Sequence, residues 1–303
     1  MQATPEQYVY FNGSLTKNWK CAVTSCIGQR YMFGITLLKR MDETAFLGFN
    51  AWDFCVRSLA QPYGRLFLRS VILRHPLRTL TGLMHYRKRL RSSQHSDIAP
   101  IGLDSEERYR DAFSNGHSLL GLGFCQKPLD PPCPAGRFNH RCLVLEQANS
   151  QTIPAACIDC PIRETALRGL RAGASIYIMT SAIDIARDLL LPNHHSPYSS
   201  YFLSVCPYSI PPLTLAMSIC GLRGLVFAFG RGDCLDYTAW LNADRGTKSE
   251  QTFLSSPAQK KLMEVLDTNG GPHDAPKDSD PYLIEKRGNL YIPAFQKPPR
   301  NPS

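Results

Sequence analysis

Residues 174–230 read ASIYIMTSAIDIARDLLLPNHHSPYSSYFLSVCPYSIPPLTLAMSICGLRGLVFAFG, three apolar runs separated by two stretches of helical character. Ala174–Thr180 is short, β-branched and apolar on both parities, which predicts a strand buried on both faces. Tyr201–Cys206 and Leu225–Phe229 read the same way. Between them Ser181–Leu191 predicts a helix, with Ser181 as its cap and Asp184 favouring the positive end of the helix dipole. Pro211–Cys220 predicts a second helix and Ser256–Leu266 a third. Strands alternating with helices at this spacing predict an α/β fold: a small parallel sheet with flanking helices in Rossmann-like topology, joined by right-handed crossovers.

Upstream the character changes. Gly121–Pro161 is rich in proline, glycine and cysteine and has little periodicity. A structureless loop of that length inside a compact domain needs something to order it, and a bound metal would serve. Residues 106–120 are expected to form a short helix, and Ser92–Ser105 a polar linker. Tyr8–Phe11 before Asn12-Gly13 suggests a strand and turn. Downstream, Tyr282–Phe295 suggests a hairpin about Arg287-Gly288-Asn289. Three regions are thus expected: 1–105 with basic helices, 106–267 as a cysteine-rich metal-binding α/β domain, and 268–303 as a Pro/Gly-rich tail.

Charge is confined to one of these regions. The net charge is +9, and no acidic residue occurs between Asp53 and Asp97. Arg57, Arg65, Arg69, Arg74, Arg78, Arg87, Lys88, Arg89 and Arg91 all fall in that gap. Leu73, Leu77, Leu80 and Met84 recur at helical spacing, so two basic amphipathic helices are expected at about 53–73 and 76–91. Such helices suit an anionic membrane surface or an acidic protein partner, or form an ordinary solvated face. Nucleic acid is disfavoured because no aromatic-rich binding motif or zinc-finger spacing accompanies the charge. No apolar run of about 18 residues is present, and Met1–Tyr10 lacks an apolar export core. The expectation is a cytoplasmic protein, peripheral to the inner face of the membrane if the basic helices bind there.

Chemistry is expected from the cysteines. There are eleven. In a reducing compartment, clustered cysteines read as metal ligands or redox thiols rather than a disulfide scaffold. Cys21 and Cys26 have no common metal spacing, and Cys220 lies inside an apolar helix; all three suit packing. Cys157 and Cys160 form a CxxC. Cys206 ends one predicted strand and Cys234 follows the next, so both should face the crevice beyond the carboxyl ends of the sheet. The expected ligands are Cys157, Cys160, Cys206 and Cys234, with Cys125, Cys133 and Cys142 as a second set. Four thiolates suit a four-iron cluster or a structural zinc. His140 is a further ligand candidate or a hydrogen-bonded structural histidine, while His194 and His195 fall in a predicted exposed loop. Arg231, Asp233, Asp236, Asp244, Arg245 and Lys248 gather beyond the third strand. They could bind a small anion, with Asp233, Asp236, Arg245 and Lys248 as the candidate contacts, or form a surface ion-pair network. The common phosphate-loop, dinucleotide, hydrolase and zinc-protease signatures are absent.

Cys125, Cys133-Pro134-Ala135, Cys157-Ile-Asp-Cys160-Pro161-Ile162, Ile176–Thr180, Ser204-Val205-Cys206 and Gly232-Asp233-Cys234-Leu235-Asp236 occur in an order that resembles a cysteine-rich family of bacteria and archaea, domain of unknown function one-sixteen. The resemblance covers about residues 125–245. It implies a cysteine-bound iron–sulfur or other metal centre on an α/β domain, and no established reaction. The family tends to carry a further cysteine three residues before this CxxC, where Pro154 stands here. A metal-thiolate protein with an electron-transfer or cluster-assisted role is therefore expected. The alternatives are a thiol–disulfide protein with Cys157 attacking and Cys160 resolving, or a zinc-stabilised binding module.

Overall fold

Strands β1 (Ile98–Ile101), β2 (Ser118–Gly123), β3 (Ser175–Met179), β4 (Ser200–Val205), β5 (Gly224–Arg231), β6 (Phe253–Leu254), β7 (Ile284–Arg287) and β8 (Leu290–Pro293) form one sheet. The computed structural model describes residues 49–90, 97–102, 117–147, 153–191, 198–268 and 284–293. The chain divides into two compact units, 1–48 and 49–303, and all described residues fall in the second. The suggested strand at Tyr8–Phe11, Cys21, Cys26, Arg91, His194 and His195 lie outside the described residues, as does the side chain of Arg89.

The centre of the sheet is parallel, in the order β5-β4-β2-β3. β2 and β3 are buried at every position, and β4 at every position but its last. That is why these runs carry no polar alternation. Antiparallel strands finish both sides: β1 pairs with β5, and the β7–β8 hairpin joins β3 through β8. β3 and β4 flank β2 on opposite sides, so the chain reverses its direction of travel across the sheet at β2/β4. A crevice opens beyond the carboxyl ends at such a point.

The helices are α1 (Phe49–Ser58), α2 (Pro62–Phe67), α3 (Pro76–Leu90), α4 (Leu143–Glu146), α5 (Ala155–Ile158), α6 (Pro161–Arg171), α7 (Ala182–Ile185), α8 (Ile210–Cys220), α9 (Tyr237–Asp244) and α10 (Ser256–Thr268). α2 and α7 each run on into one π-turn, Leu68–Ile72 and Ala186–Leu190. α6 and α10 cover the face that carries Leu120, Ile176, Phe202 and Phe227. α8 covers the other face and is itself covered by α1 and α3. At that second contact, a Cβ on Gly82 of α3 would lie 2.4 Å from the Ile219 Cα of α8, so only glycine permits the approach. Arg78 donates from Nη2 to the Cys220 carbonyl at the end of α8 (2.5 Å), which satisfies an acceptor the helix end leaves free.

Two expectations need revision. Of the helix expected at 106–120, residues 118–120 belong to β2, the central strand, and 106–116 lie outside the described residues. Gly121 and Gly123 lower its strand propensity, yet a Cβ on Gly121 would meet Leu203 Cδ2 at 2.5 Å and Met179 Sδ at 3.1 Å. The linker expected at 92–105 contains edge strand β1. The apolar stripe of α3 and the turn before it faces outward: Leu73, Leu77, Leu80 and Met84 are 66%, 80%, 54% and 56% exposed. α3 turns Gly82 and Tyr86 inward instead.

Candidate functional site

The crevice is roofed. α1 and α2 lie over the carboxyl ends of the strands and enclose a cavity of about 270 Å³. Its walls are apolar and include Phe54, Phe67, Leu68, Met179, Ile185 and Trp240. The roof is fixed by rings: Phe54 meets Trp240 edge to face with centroids 4.6 Å apart, and Tyr63 meets Trp240 at 5.6 Å. The Tyr63 hydroxyl lies between Ser58 Oγ (2.8 Å) and the Tyr237 hydroxyl (3.2 Å). Tyr208 donates to Asp53 (3.1 Å), which ties α1 to the turn after β4. Asp244 reaches the wall and accepts from the Ala182 N–H (2.5 Å); burial raises the pKa of its carboxyl.

Sulfur forms part of the floor. Cys125, Cys206 and Cys234 all line the cavity, each just past the end of a parallel strand. The Cys234 N–H donates to Cys206 Sγ (3.2 Å), and Lys248 Nζ approaches Cys234 Sγ at 3.5 Å. The two thiols perturb each other, so that the pKa of Cys206 rises and that of Cys234 falls; the Lys248 ammonium adds to the lowering at Cys234. Burial pushes Cys125 up to about 11.

Of the other expected ligands, Cys133, Cys142 and Cys160 gather elsewhere, about the ammonium of Lys127, with Cys157 beside Cys160 and Cys133. The lysine side chain is 2% exposed and donates to the carbonyls of Gly136 (3.0 Å), Asn139 (2.7 Å) and Arg141 (2.9 Å) and to Asn139 Oδ1 (2.9 Å). Burial lowers its pKa, and negative charge on Cys133, Cys142, Cys160 or Glu146 acts to raise it. Negative charge on Cys160 or Cys133 would likewise raise Cys157. Burial raises Cys142 to about 11 and also raises Cys157 and Cys160. Cys160 is the cap residue of α6, and Cys157 lies in the four-residue α5.

The irregular loop is ordered by buried cations. Lys127 gathers residues 136–141, and Arg137 donates to the carbonyls of Lys248 (2.5 Å), Cys125 (3.2 Å) and Glu250 (2.9 Å). Arg137 thereby stands between the two sulfur groups, its charge facing both Cys125 and Cys133. The Tyr291 hydroxyl accepts from Cys142 N–H (2.8 Å) and donates to Glu146 (3.0 Å), pinning the loop to β8.

Cys157 and Cys160 thus sit with Cys133 and Cys142, while Cys206 and Cys234 sit with Cys125. Among the described residues, no group of three or more His, Cys, Asp or Glu side chains is arranged to hold a metal ion. A single four-ligand centre of Cys157, Cys160, Cys206 and Cys234 is not formed. His140 is engaged at both ring nitrogens, by the Ile178 carbonyl (2.7 Å) and Thr180 Oγ1 (3.0 Å), as a structural histidine. The polar set beyond β5 is dispersed. Asp236 caps α9 by accepting from Ala239 N–H (2.8 Å), Arg231 stacks on Phe253 (4.1 Å), and Arg245 is exposed. Asp233 bears on Cys234, and of the four candidate anion contacts Lys248 alone touches the sulfur site. Of the basic residues, Arg78 caps α8 and Arg87 is half-buried, whereas Arg65, Arg69, Arg74 and Lys88 are exposed.

Lys127 and the aromatic roof were not among the expected site residues. Lys127 lies two positions after Cys125 in a cysteine-rich segment with few cations, which was the available signal. No family model matches the chain, and neither a curated protein nor a solved structure matches it.

Proposed function

We propose that Cys133, Cys142, Cys157 and Cys160 hold a four-iron cluster and that the protein is an iron–sulfur electron carrier. The observation that carries this reading is the grouping of Cys133, Cys142 and Cys160 about the buried ammonium of Lys127, with Cys157 beside Cys160 and Cys133. Glu146 acts on this ammonium as a carboxylate, and neutral thiols add no further counter-charge. A cluster ligated by four thiolates carries net negative charge. In a cubane each thiolate binds a different iron, so the sulfurs stand further apart than around a single ion. When bound, the cluster would supply one-electron transfer. Lys127 would compensate its charge, and Arg137 would fix the loop that carries Cys133.

The strand order and the crevice at β2/β4 support a Rossmann-like, doubly wound topology, in which the crevice is the ligand site. The exposed apolar stripe Leu73, Leu77, Leu80 and Met84, flanked by Arg65, Arg69, Arg74 and Lys88 in a segment without carboxylates, supports a place on an anionic bilayer.

Iron and acid-labile sulfide analysis after purification without oxygen tests the cluster. About four of each per chain, lost in Cys160→Ser, is the expected result. One zinc without sulfide overturns the carrier reading in favour of a structural module, and a metal-free protein overturns both.

A further inference from the structure

We infer that Cys206 and Cys234 form a dithiol site that reduces an apolar disulfide bound in the roofed cavity. Three features meet at one place. The Cys234 N–H donates to Cys206 Sγ (3.2 Å), and a lysine ammonium lies 3.5 Å from Cys234 Sγ. Both cysteines line a cavity that is also lined by Phe229, Met179 and Trp240. The cavity lies at the switch point of the sheet, where strand ends hold the sulfurs and α1 and α2 form the roof.

The groups facing Cys234 are Cys206 from the end of β4, Cys125 from the end of β2, Lys248 from the loop after α9, and Asp233 beside it. The first and third favour the thiolate on Cys234, and Asp233 opposes it. Cys206 keeps its proton. The pair thus separates the two tasks of thiol–disulfide exchange: a thiolate to attack and a protonated neighbour to resolve.

The step balances as follows. The Cys234 thiolate attacks one sulfur of R–S–S–R, the S–S bond breaks, and R–S⁻ leaves and takes a proton from solvent. A mixed disulfide Cys234–S–S–R remains. The Cys206 sulfur then attacks the Cys234 sulfur, its proton passing to the departing second R–S⁻. Two electrons move from the dithiol to the substrate, which leaves as two thiols, and a Cys206–Cys234 disulfide is formed. An external dithiol restores the site by the reverse exchange.

The cavity sets the substrate class. A 150 Å³ cavity accommodates benzene, so 270 Å³ takes about ten non-hydrogen atoms. The lining residues include no lysine or arginine to meet an anionic group. Neutral, apolar arms on the disulfide are therefore required.

The test uses full-length reduced protein and one equivalent of dipropyl disulfide, a neutral disulfide small enough for the cavity, with peptide mapping by mass spectrometry. The expected product is a peptide linked through Cys206 and Cys234. Cys206→Ser should instead retain a propylthio adduct on Cys234, and Cys125→Ser should behave as the parent. The doubly anionic 2,2′-dithiodiacetate, of similar size, each rate normalised to that with glutathione, should label Cys234 at least about tenfold more slowly. Ala216→Trp, which fills the cavity, should remove that preference; prior addition of 1-decanol should do so without any substitution. A first-formed disulfide between other cysteines overturns the dithiol assignment. Equal normalised rates for the two reagents overturn the cavity as the binding site. Neither readout involves iron, so this inference and the cluster reading fail separately.

Discussion

Lys127 shows how much one side chain organises. Its ammonium is donor to three carbonyls and one amide oxygen spread over residues 136–141, and no regular element holds that segment. Lys127→Met keeps the volume and removes every one of those bonds. The three carbonyls are left without their buried donor, a loss of about 2–4 kcal/mol in chemical unfolding. The same substitution deletes a positive charge beside the proposed cluster. A cation favours the reduced, more negative form, so its removal should lower the midpoint potential, by on the order of 50 mV for a charge effect near 1 kcal/mol. A loss of stability with an unchanged potential would separate the two roles and count against the cluster at this position. None of this was legible in the sequence. A lysine reads as surface, and burial that depends on backbone carbonyls fourteen residues away leaves no periodic trace.

Among the elements, those with local cause were legible and those fixed by close approach were not. β3, β4, β5, α8 and α10 follow from apolar runs, proline starts and spacing, and lie where expected. β2 was missed although it is the middle strand, because two of its six residues are glycines whose purpose is the room they leave for Leu203, Met179 and Phe229. The α3–α8 crossing is of the same kind. Gly82→Ala places a Cβ against the Ile219 backbone, which cannot yield as a side chain can. We expect a loss of about 1–3 kcal/mol and a separation of the two helices. A control at exposed Thr81, Thr81→Ala, should change stability by less than about 0.5 kcal/mol. If Gly82→Ala is equally silent, the crossing is looser than described. The cysteine grouping was half legible: spacing identified the CxxC and the strand-end thiols as site residues, but the partition into two groups is set by where loops return, which spacing does not encode.

At the scale of the whole molecule, the sheet unit has one side unlike the rest. Seven of the twelve large apolar side chains exposed among the described residues lie between Trp52 and Met84. Five exposed cations lie in the same stretch of chain, and four of them remain once Arg57 is set against Asp53. At about 1 kcal/mol for each cation, charge alone gives roughly millimolar affinity for an anionic bilayer, and apolar insertion adds to it. In sedimentation with phosphatidylserine-containing vesicles, Leu77→Asp/Leu80→Asp should weaken binding by at least about tenfold. High salt should release the parent protein. Binding of equal strength to neutral vesicles would remove the electrostatic part of the proposal, and no binding at low salt would remove it all. The same surface is the outer wall of the cavity lid, since α1 and α2 line the space from within.

The roof of the cavity is made by residues 54–72, and its floor is completed at Cys234 and Asp244. The lid therefore leaves the ribosome long before anything exists for it to close upon. Phe54 and Tyr63 wait for Trp240, and the exposed apolar helices must remain soluble through the synthesis of some 170 further residues. Their high positive charge and lack of carboxylates suit that interval, because like charges keep nascent copies apart. The cavity comes into being only once α9 has been made, and a chain interrupted anywhere before α9 would carry its lid with no vessel to cover.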